Sequence, residues 1–266
     1  MFFEWNNVKI YYEYHPHNTA VTAPVLFLHG WGCDHSVFDS YTCALKRECS
    51  ILLVDFPGHG QSDETHTPWC VGDFASQIIA LLDELKIDKV RIFAHSFGGR
   101  VAIKLGSQHP ERVESLVITG GAGIKKQRSR KQKIKQKAYK LCQAALNLLK
   151  RIPVLTKQIA KIQNDLRNRN SSPDYLKLSD AMKKTFVLVV NEDLTNELSA
   201  IQAPTLLLWG SSDTETPLWM GETMRNRIPD SGLVVLENGS HFAFLEQKDR
   251  CLAILKNYWQ VEGQET

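Results

Sequence analysis

The chain has 266 residues, 43% hydrophobic and 9% aromatic, enough to bury one sizeable core and to carry an insertion. Its six cysteines, at 33, 43, 49, 70, 142 and 251, show no CxxC pair and no framework spacing, which excludes a disulfide scaffold and suits reduced thiols in a cytoplasmic protein. The net charge of +3 hides an asymmetry: Lys125 to Lys184 holds 18 basic and three acidic side chains, against 14 and 26 in the remainder. That segment reads as a separate module.

The N-terminus, MFFEWNNVKIYYEYH, has no basic n-region and carries Glu, Asn and Lys within its apolar part, so it does not read as a signal peptide. FFEW and VKIYYEY around an Asn pair predict a two-strand hairpin, because Asn tolerates positive φ at a tight turn. PVLFLHG and SILLVDFPGHG are short apolar runs ending in turns, the pattern of strands buried on both faces. HSVFDSYTCALKR between them has helical spacing. Asp73 to Leu85 is an amphipathic helix with Phe74, Ile78, Leu81, Leu82 and Leu85 on one stripe.

VRIFAHS is the next strand, Phe97 to Gln108 a helix and SLVITGG a further strand. After the basic segment, APTLLLWG reads as a strand, PLWMGETMRNRI as a helix with Pro217 near its first turn, and GLVVLEN as a strand. Phe242 to Trp259 closes the chain as a helix. Alternating buried strands and helices imply a mostly parallel sheet covered on both faces, with its chemistry at the carboxyl ends of the strands. No run approaches the roughly 18 apolar residues of a membrane span.

Three residues that carry chemistry stand at those strand ends. Ser96 lies in AHSFGG, between a strand and a helix, the setting of a nucleophile elbow. The sharp turn brings the residues two before and two after the serine together, so both must be small; here they are Ala94 and Gly98. Taken alone, the motif serves equally as a helix N-cap. A serine nucleophile needs a base, and the base an orienting acid. Asp213 follows TLLLWG and His241 follows LVVLEN, in the chain order Ser, Asp, His that this architecture uses. HGWG, residues 29–32, supplies the remaining need: the backbone N–H groups of Trp31 and Phe97 are placed to hold an oxyanion, with Gly30 and Gly32 letting the chain turn inward. His29, His59 and His95 have no metal-type spacing, and no metal site is assigned. His95 is at most a pocket neighbour.

HGWG, DFPGHGQS, AHSFGG, WGSSDTETP and GSHF, in this order and spacing, resemble the α/β-hydrolase superfamily over the first 120 or so residues and the last 70 or so. HGWG and the layout are most similar to small carboxylesterases, including the pimeloyl-carrier-protein methyl ester esterases. The resemblance implies an α/β-hydrolase fold with a mostly parallel eight-stranded sheet, helices on both faces and a helical lid after the sixth strand. It also implies a Ser96–His241–Asp213 triad and no cofactor, with DFPGHGQS a structural loop. Serine at the nucleophile position stands against haloalkane dehalogenases and epoxide hydrolases, which use aspartate there.

On this reading residues 1–121 and 196–266 form the core and 122–195 a basic helical lid, in which Leu141, Ala145, Leu148 and Leu149 give an apolar stripe. The basic run fits a solvated helix face or mobile hinge, or a docking site for an acidic partner or an anionic substrate. Nucleic acid is not expected, since Tyr139 is the one aromatic within the run and no recognised binding module is present. The expected function is hydrolysis of a small-molecule carboxylic ester through an acyl-enzyme. Two alternatives stay open: a carbon–carbon hydrolase or lyase on the same triad, since GGR with Arg100 is similar to the lyase of menaquinone synthesis, and a ligand-binding protein that retains the triad.

Overall fold

A computed structural model of the chain describes residues 1–17, 23–125 and 178–260, with Ile134, Ala138, Leu141, Cys142, Ala144, Ala145, Leu146 and Tyr175. It divides into two compact units, residues 1–125 with 184–266 and residues 126–183. The expected lid helices, their apolar stripe and the basic run lie largely outside the described residues.

The larger unit is built on strands β1 (Phe2–Trp5), β2 (Val8–His15), β3 (Val25–Leu28), β4 (Ile51–Val54), β5 (Val90–His95), β6 (Val113–Thr119), β7 (Thr205–Gly210) and β8 (Ser231–Leu236). They form one eight-stranded sheet in the order β1-β2-β4-β3-β5-β6-β7-β8. β2 pairs antiparallel with β1 and β4, and every other pairing is parallel. This is the expected α/β-hydrolase sheet. The first hairpin turns at Asn6 and Asn7, with φ of 50° and 60°, as the Asn pair predicts.

β3, β4, β5 and β7 are buried along their whole lengths, which explains the wholly apolar VLFL and ILLV of β3 and β4 and the apolar centres of β5 and β7. Successive side chains point to opposite faces, so each strand feeds two cores. Leu26, Leu28, Leu52, Val54, Ile92 and Ala94 join helices α2 (Val71–Glu84) and α3 (Phe97–Gln108) on one side. Val25, Phe27, Ile51, Leu53 and Phe93 meet α1 (Asp39–Leu45) and the C-terminal helices on the other. Further helices among the described residues are α4 (Asp180–Asn191), α5 (Trp219–Arg227), α6 (Ala243–Glu246) and α7 (Lys248–Trp259). Among the described residues no helix is long and apolar enough to cross a membrane.

Two elements depart from the sequence reading. HSVFDSYTCAL opens with a 3-10 turn, His35–Phe38, because Asp34 accepts from the Ser36 N–H at 2.9 Å and starts the coil early; α1 follows. The closing helix is broken at Gln247 (φ −116°, ψ 43°), whose side chain donates to the Glu237 carbonyl at 2.8 Å.

Candidate active site

Ser96 stands between the last residue of β5 and the first of α3, with φ 52° and ψ −108°. Positive φ strains a residue bearing a Cβ and persists only when its surroundings enforce it. The end of β6 does so. The Ser96 N–H donates to Thr119 O at 3.1 Å, and Ser96 O accepts from the N–H groups of Gly99 and Ala122, both at 3.0 Å. The side chain makes no capping hydrogen bond to α3, so Ser96 is not an N-cap in the usual sense. Its hydroxyl is left for other work. Gly98 donates to His29 O at 3.0 Å, and a Cβ there would overlap the Leu28 carbonyl oxygen, so the elbow is pressed against the end of β3.

Asp213 and His241 lie beyond the carboxyl ends of β7 and β8. Their loops are sewn together: Ser211 N–H donates to Leu236 O at 3.0 Å and Ser212 N–H to Gly239 O at 2.9 Å. His241 Nδ1 is 2.8 Å from Asp213 Oδ2. An ionised carboxylate only accepts, so the proton sits on Nδ1 and the Nε2 lone pair is free. Asp213 Oδ1 accepts the backbone N–H groups of Glu215 and Thr216, each at 2.9 Å. The side chain is wholly buried, and burial alone would raise its pKa; hydrogen bonds from His241, from the Thr216 N–H and from the Thr216 hydroxyl outweigh that and hold it below the ordinary carboxylate value. Gly120, at the end of β6 with φ 51°, fits beside the pair only because it lacks a side chain: a Cβ would lie 3.2 Å from both Asp213 Oδ2 and His241 Nδ1.

β6 lies between β5 and β7, so its terminal residues tie Ser96 on one side to Asp213 and His241 on the other. No hydrogen bond among the described residues joins Ser96 Oγ to the His241 ring. Such contacts commonly close only when substrate is bound.

The HGWG loop follows β3. Gly30 is pressed against the elbow, since a Cβ there would lie 3.3 Å from that of Ser96 and 3.0 Å from the His95 ring. Among the described residues no group accepts from the Trp31 N–H, and Phe97, in the first turn of α3, has no intrahelical acceptor. The Trp31 indole meets the rings of His59, Phe97 and Phe186 edge-on, with centroids 4.8, 5.4 and 5.2 Å away. His29 anchors the loop from below: its Nε2 accepts from the Phe56 N–H at 2.9 Å, so Nδ1 is the protonated nitrogen and donates to Gly30 O at 2.7 Å. Burial pushes the His29 pKa down to about 3, aided by His59.

His95 is a neighbour of the site, its ring centroid 4.8 Å from that of His241. Burial, with the His241 charge, pushes its pKa down to about 3. Asp55 in DFPGHGQS is a structural knot, as its loop predicts, with Oδ1 accepting the His35 N–H at 2.8 Å and facing His35 Nδ1 at 2.7 Å, while Oδ2 accepts Gln61 N–H at 2.9 Å. Asp34, His35 and Asp55 come close enough together to hold an ion, but Asp55 is occupied by these bonds. Arg100, which carries the lyase resemblance, has its guanidinium turned to the end of α4, donating to Glu192 O at 2.8 Å and Val190 O at 3.5 Å. Thr216 escapes a reading by motif; its hydroxyl lies 2.8 Å from Asp213 Oδ2 and 3.3 Å from His241 Nδ1.

A family model described as the alpha/beta hydrolase fold matches residues 23–248. The chain belongs to the α/β hydrolases. It is similar to a pimeloyl-[acyl-carrier protein] methyl ester esterase of Neisseria meningitidis, 28% identical over 254 residues that cover 90% of this chain and 93% of that protein. Among solved structures, an esterase from Exiguobacterium antarcticum is 25% identical with a TM-score of 0.71, covering 94% of this chain and 95% of that one. An enol-lactonase from Burkholderia xenovorans LB400, 19% identical with a TM-score of 0.72 over 98% of this chain and 100% of that one, shares the fold.

Proposed function

We propose that this α/β hydrolase cleaves a carboxylic ester through an acyl-enzyme on Ser96, with His241 as general base, Asp213 as its orienting acid, and the Trp31 and Phe97 N–H groups as oxyanion hole. The observation that carries this reading is the Asp213–His241 pair at 2.8 Å, its carboxylate buried, beyond strands whose neighbour β6 also fixes the strained Ser96. The esterases among its relatives support the bond type.

In this scheme the free Nε2 of His241 takes the Ser96 hydroxyl proton as Oγ attacks the acyl carbon. The carbonyl electrons move onto oxygen, where two backbone donors that need no reorganisation hold them. The tetrahedral intermediate collapses, and His241 returns the proton to the departing alcohol. Water then attacks the acyl-serine with His241 again as base, releasing the acid and restoring Ser96. Asp213 stays ionised throughout, supporting the imidazolium that forms twice per turnover.

The test is Ser96→Ala assayed on p-nitrophenyl acetate and butyrate. Loss of a triad serine costs on the order of 10⁴–10⁶ in kcat. A folded variant that kept a tenth of the activity would exclude Ser96 as nucleophile. An ester panel of graded chain length would then define the acyl group.

A further inference from the structure

Thr216 Oγ1 stands among three groups: Asp213 Oδ2 at 2.8 Å, Gly120 O at 2.9 Å and His241 Nδ1 at 3.3 Å. The residue is buried. A threonine hydroxyl has one proton to give, and both close neighbours at 2.8 and 2.9 Å are oxygens that only accept. The ionised carboxylate is the stronger acceptor of the two. Its Oδ2 is also the oxygen that faces the histidine, whereas Oδ1 is saturated by two backbone N–H groups. Every acceptor direction of Asp213 is thereby assigned, and the carboxylate plane is fixed relative to the imidazole.

We propose that Thr216 is a positioning residue of the acid–base pair: its hydroxyl locks Asp213 Oδ2 against the His241 ring and shares the carboxylate charge that would otherwise bear on the imidazolium. Gly120 completes the arrangement on the β6 side: its carbonyl oxygen stands 2.9 Å from Oγ1 as the weaker competing acceptor, and its missing Cβ leaves room for Asp213 and His241. This proposal rests on Asp213 and His241 acting as the acid–base pair.

The sign of the effect follows from where the charge goes. With the hydroxyl present, part of the carboxylate's charge is neutralised by a local dipole. Without it, Asp213 attracts the protonated ring more strongly, and the base gives up its proton at higher pH. Among the described residues, the titratable groups facing His241 are Asp213 and His95. His95 stays neutral across the working range and does not move with this change.

The experiment compares Thr216→Val, Thr216→Ala and Thr216→Ser on a p-nitrophenyl ester across pH, with Ser96→Ala as reference. Val and Ala should lower kcat by about 10-fold or more, the size of one hydrogen bond to a charged group. KM should change little, and the acid limb of kcat/KM should move to higher pH. Ser should restore both the rate and the limb. If Val misfolds by circular dichroism, the Ala and Ser pair decides. Unmoved limbs in Val and Ala, or an equal loss in Ser, would overturn the role of the hydroxyl. Ser96→Ala separates the two layers. If it is inactive while the Thr216 variants behave as wild type, only the Thr216 proposal falls; if it is active, the hydrolase reading falls with it.

Discussion

Ala94 and Gly98 flank Ser96 at equal separations, yet only one of them must be glycine. Ala94 is buried on β5 with room for its methyl group, whereas a methyl at Gly98 would overlap a backbone oxygen of β3, which has no rotamer by which to escape. Gly98→Ala should therefore shift the elbow or fail to fold, with an esterase rate far below wild type and a lowered Tm. Ala94→Gly should keep its activity and lose about 1 kcal/mol, the backbone entropy cost of a glycine in a strand, read by denaturant unfolding. The proposed acid–base pair sets the expected pH response. A protonated His241 has no lone pair for the serine proton, so kcat/KM should fall on the acid side, while Asp213, held below the ordinary carboxylate range, stays charged through that limb. A flat rate profile over about pH 5 to 8 would count against a histidine base.

α3 carries two cations on its buried face, and both are paired within the protein. Arg100 and Lys104 reach the segment that follows α4: Arg100 caps its last carbonyls, and Lys104 Nζ pairs with Glu197 at 2.6 Å and Glu192 at 3.1 Å. Cations suit a helix C-terminus, where carbonyls lack partners. Arg100→Met should leave those carbonyls orphaned and cost about 2–3 kcal/mol, with faster amide exchange at residues 184–194. This packing marks the limit of what the chain discloses by itself. β3 to β8 were legible as apolar runs, the first hairpin by its Asn pair, and the Ser96, Asp213 and His241 positions because parallel strands present their ends on one edge. Local signals carry those features. Arg100 and Gly120 take their meaning from partners 92 and 93 positions away in the chain, and nothing in their immediate sequence names those partners. Thr216 has Asp213 three positions back, but its place beside the pair shows only once His241, 25 positions on, is folded next to them. The break at Gln247 was hidden for the same reason, since a side-chain bond to Glu237 outweighs helical spacing.

At the scale of the whole chain, charge is sorted along the sequence and histidine burial is sorted through the fold. If the +15 segment draws in anionic or carrier-bound esters, their kcat/KM should fall with salt, as the Debye length shrinks from roughly 30 Å at 0.01 M to 3 Å at 1 M, while neutral short esters respond little. Equal responses would leave the segment a solvated face. The buried histidines make a stricter demand. His29 and His95 each fall from an ordinary 6.5 to about 3 on folding, chiefly because burial penalises the charged ring, and His59 is lowered for the same reason. Between those values the unfolded chain binds a proton at each site that the folded chain refuses. Their contribution to stability is therefore complete above the unfolded value and is lost as pH falls toward the folded one. Each proton tilts stability by about 1.4 kcal/mol per pH unit, so His29 and His95 together give a slope of up to about 2.7 in mid-window. Urea unfolding from pH 7 to 4 should show the midpoint dropping steeply below about pH 6, well before ordinary carboxylates are protonated. His95→Phe keeps a ring against Phe242 and Phe244 and removes one titrating site, so its slope should be shallower by one proton's worth. A wild-type midpoint unchanged between pH 6 and 4, or a variant with the same slope, would show that these rings are protonated in the folded state and that burial does not hold them neutral.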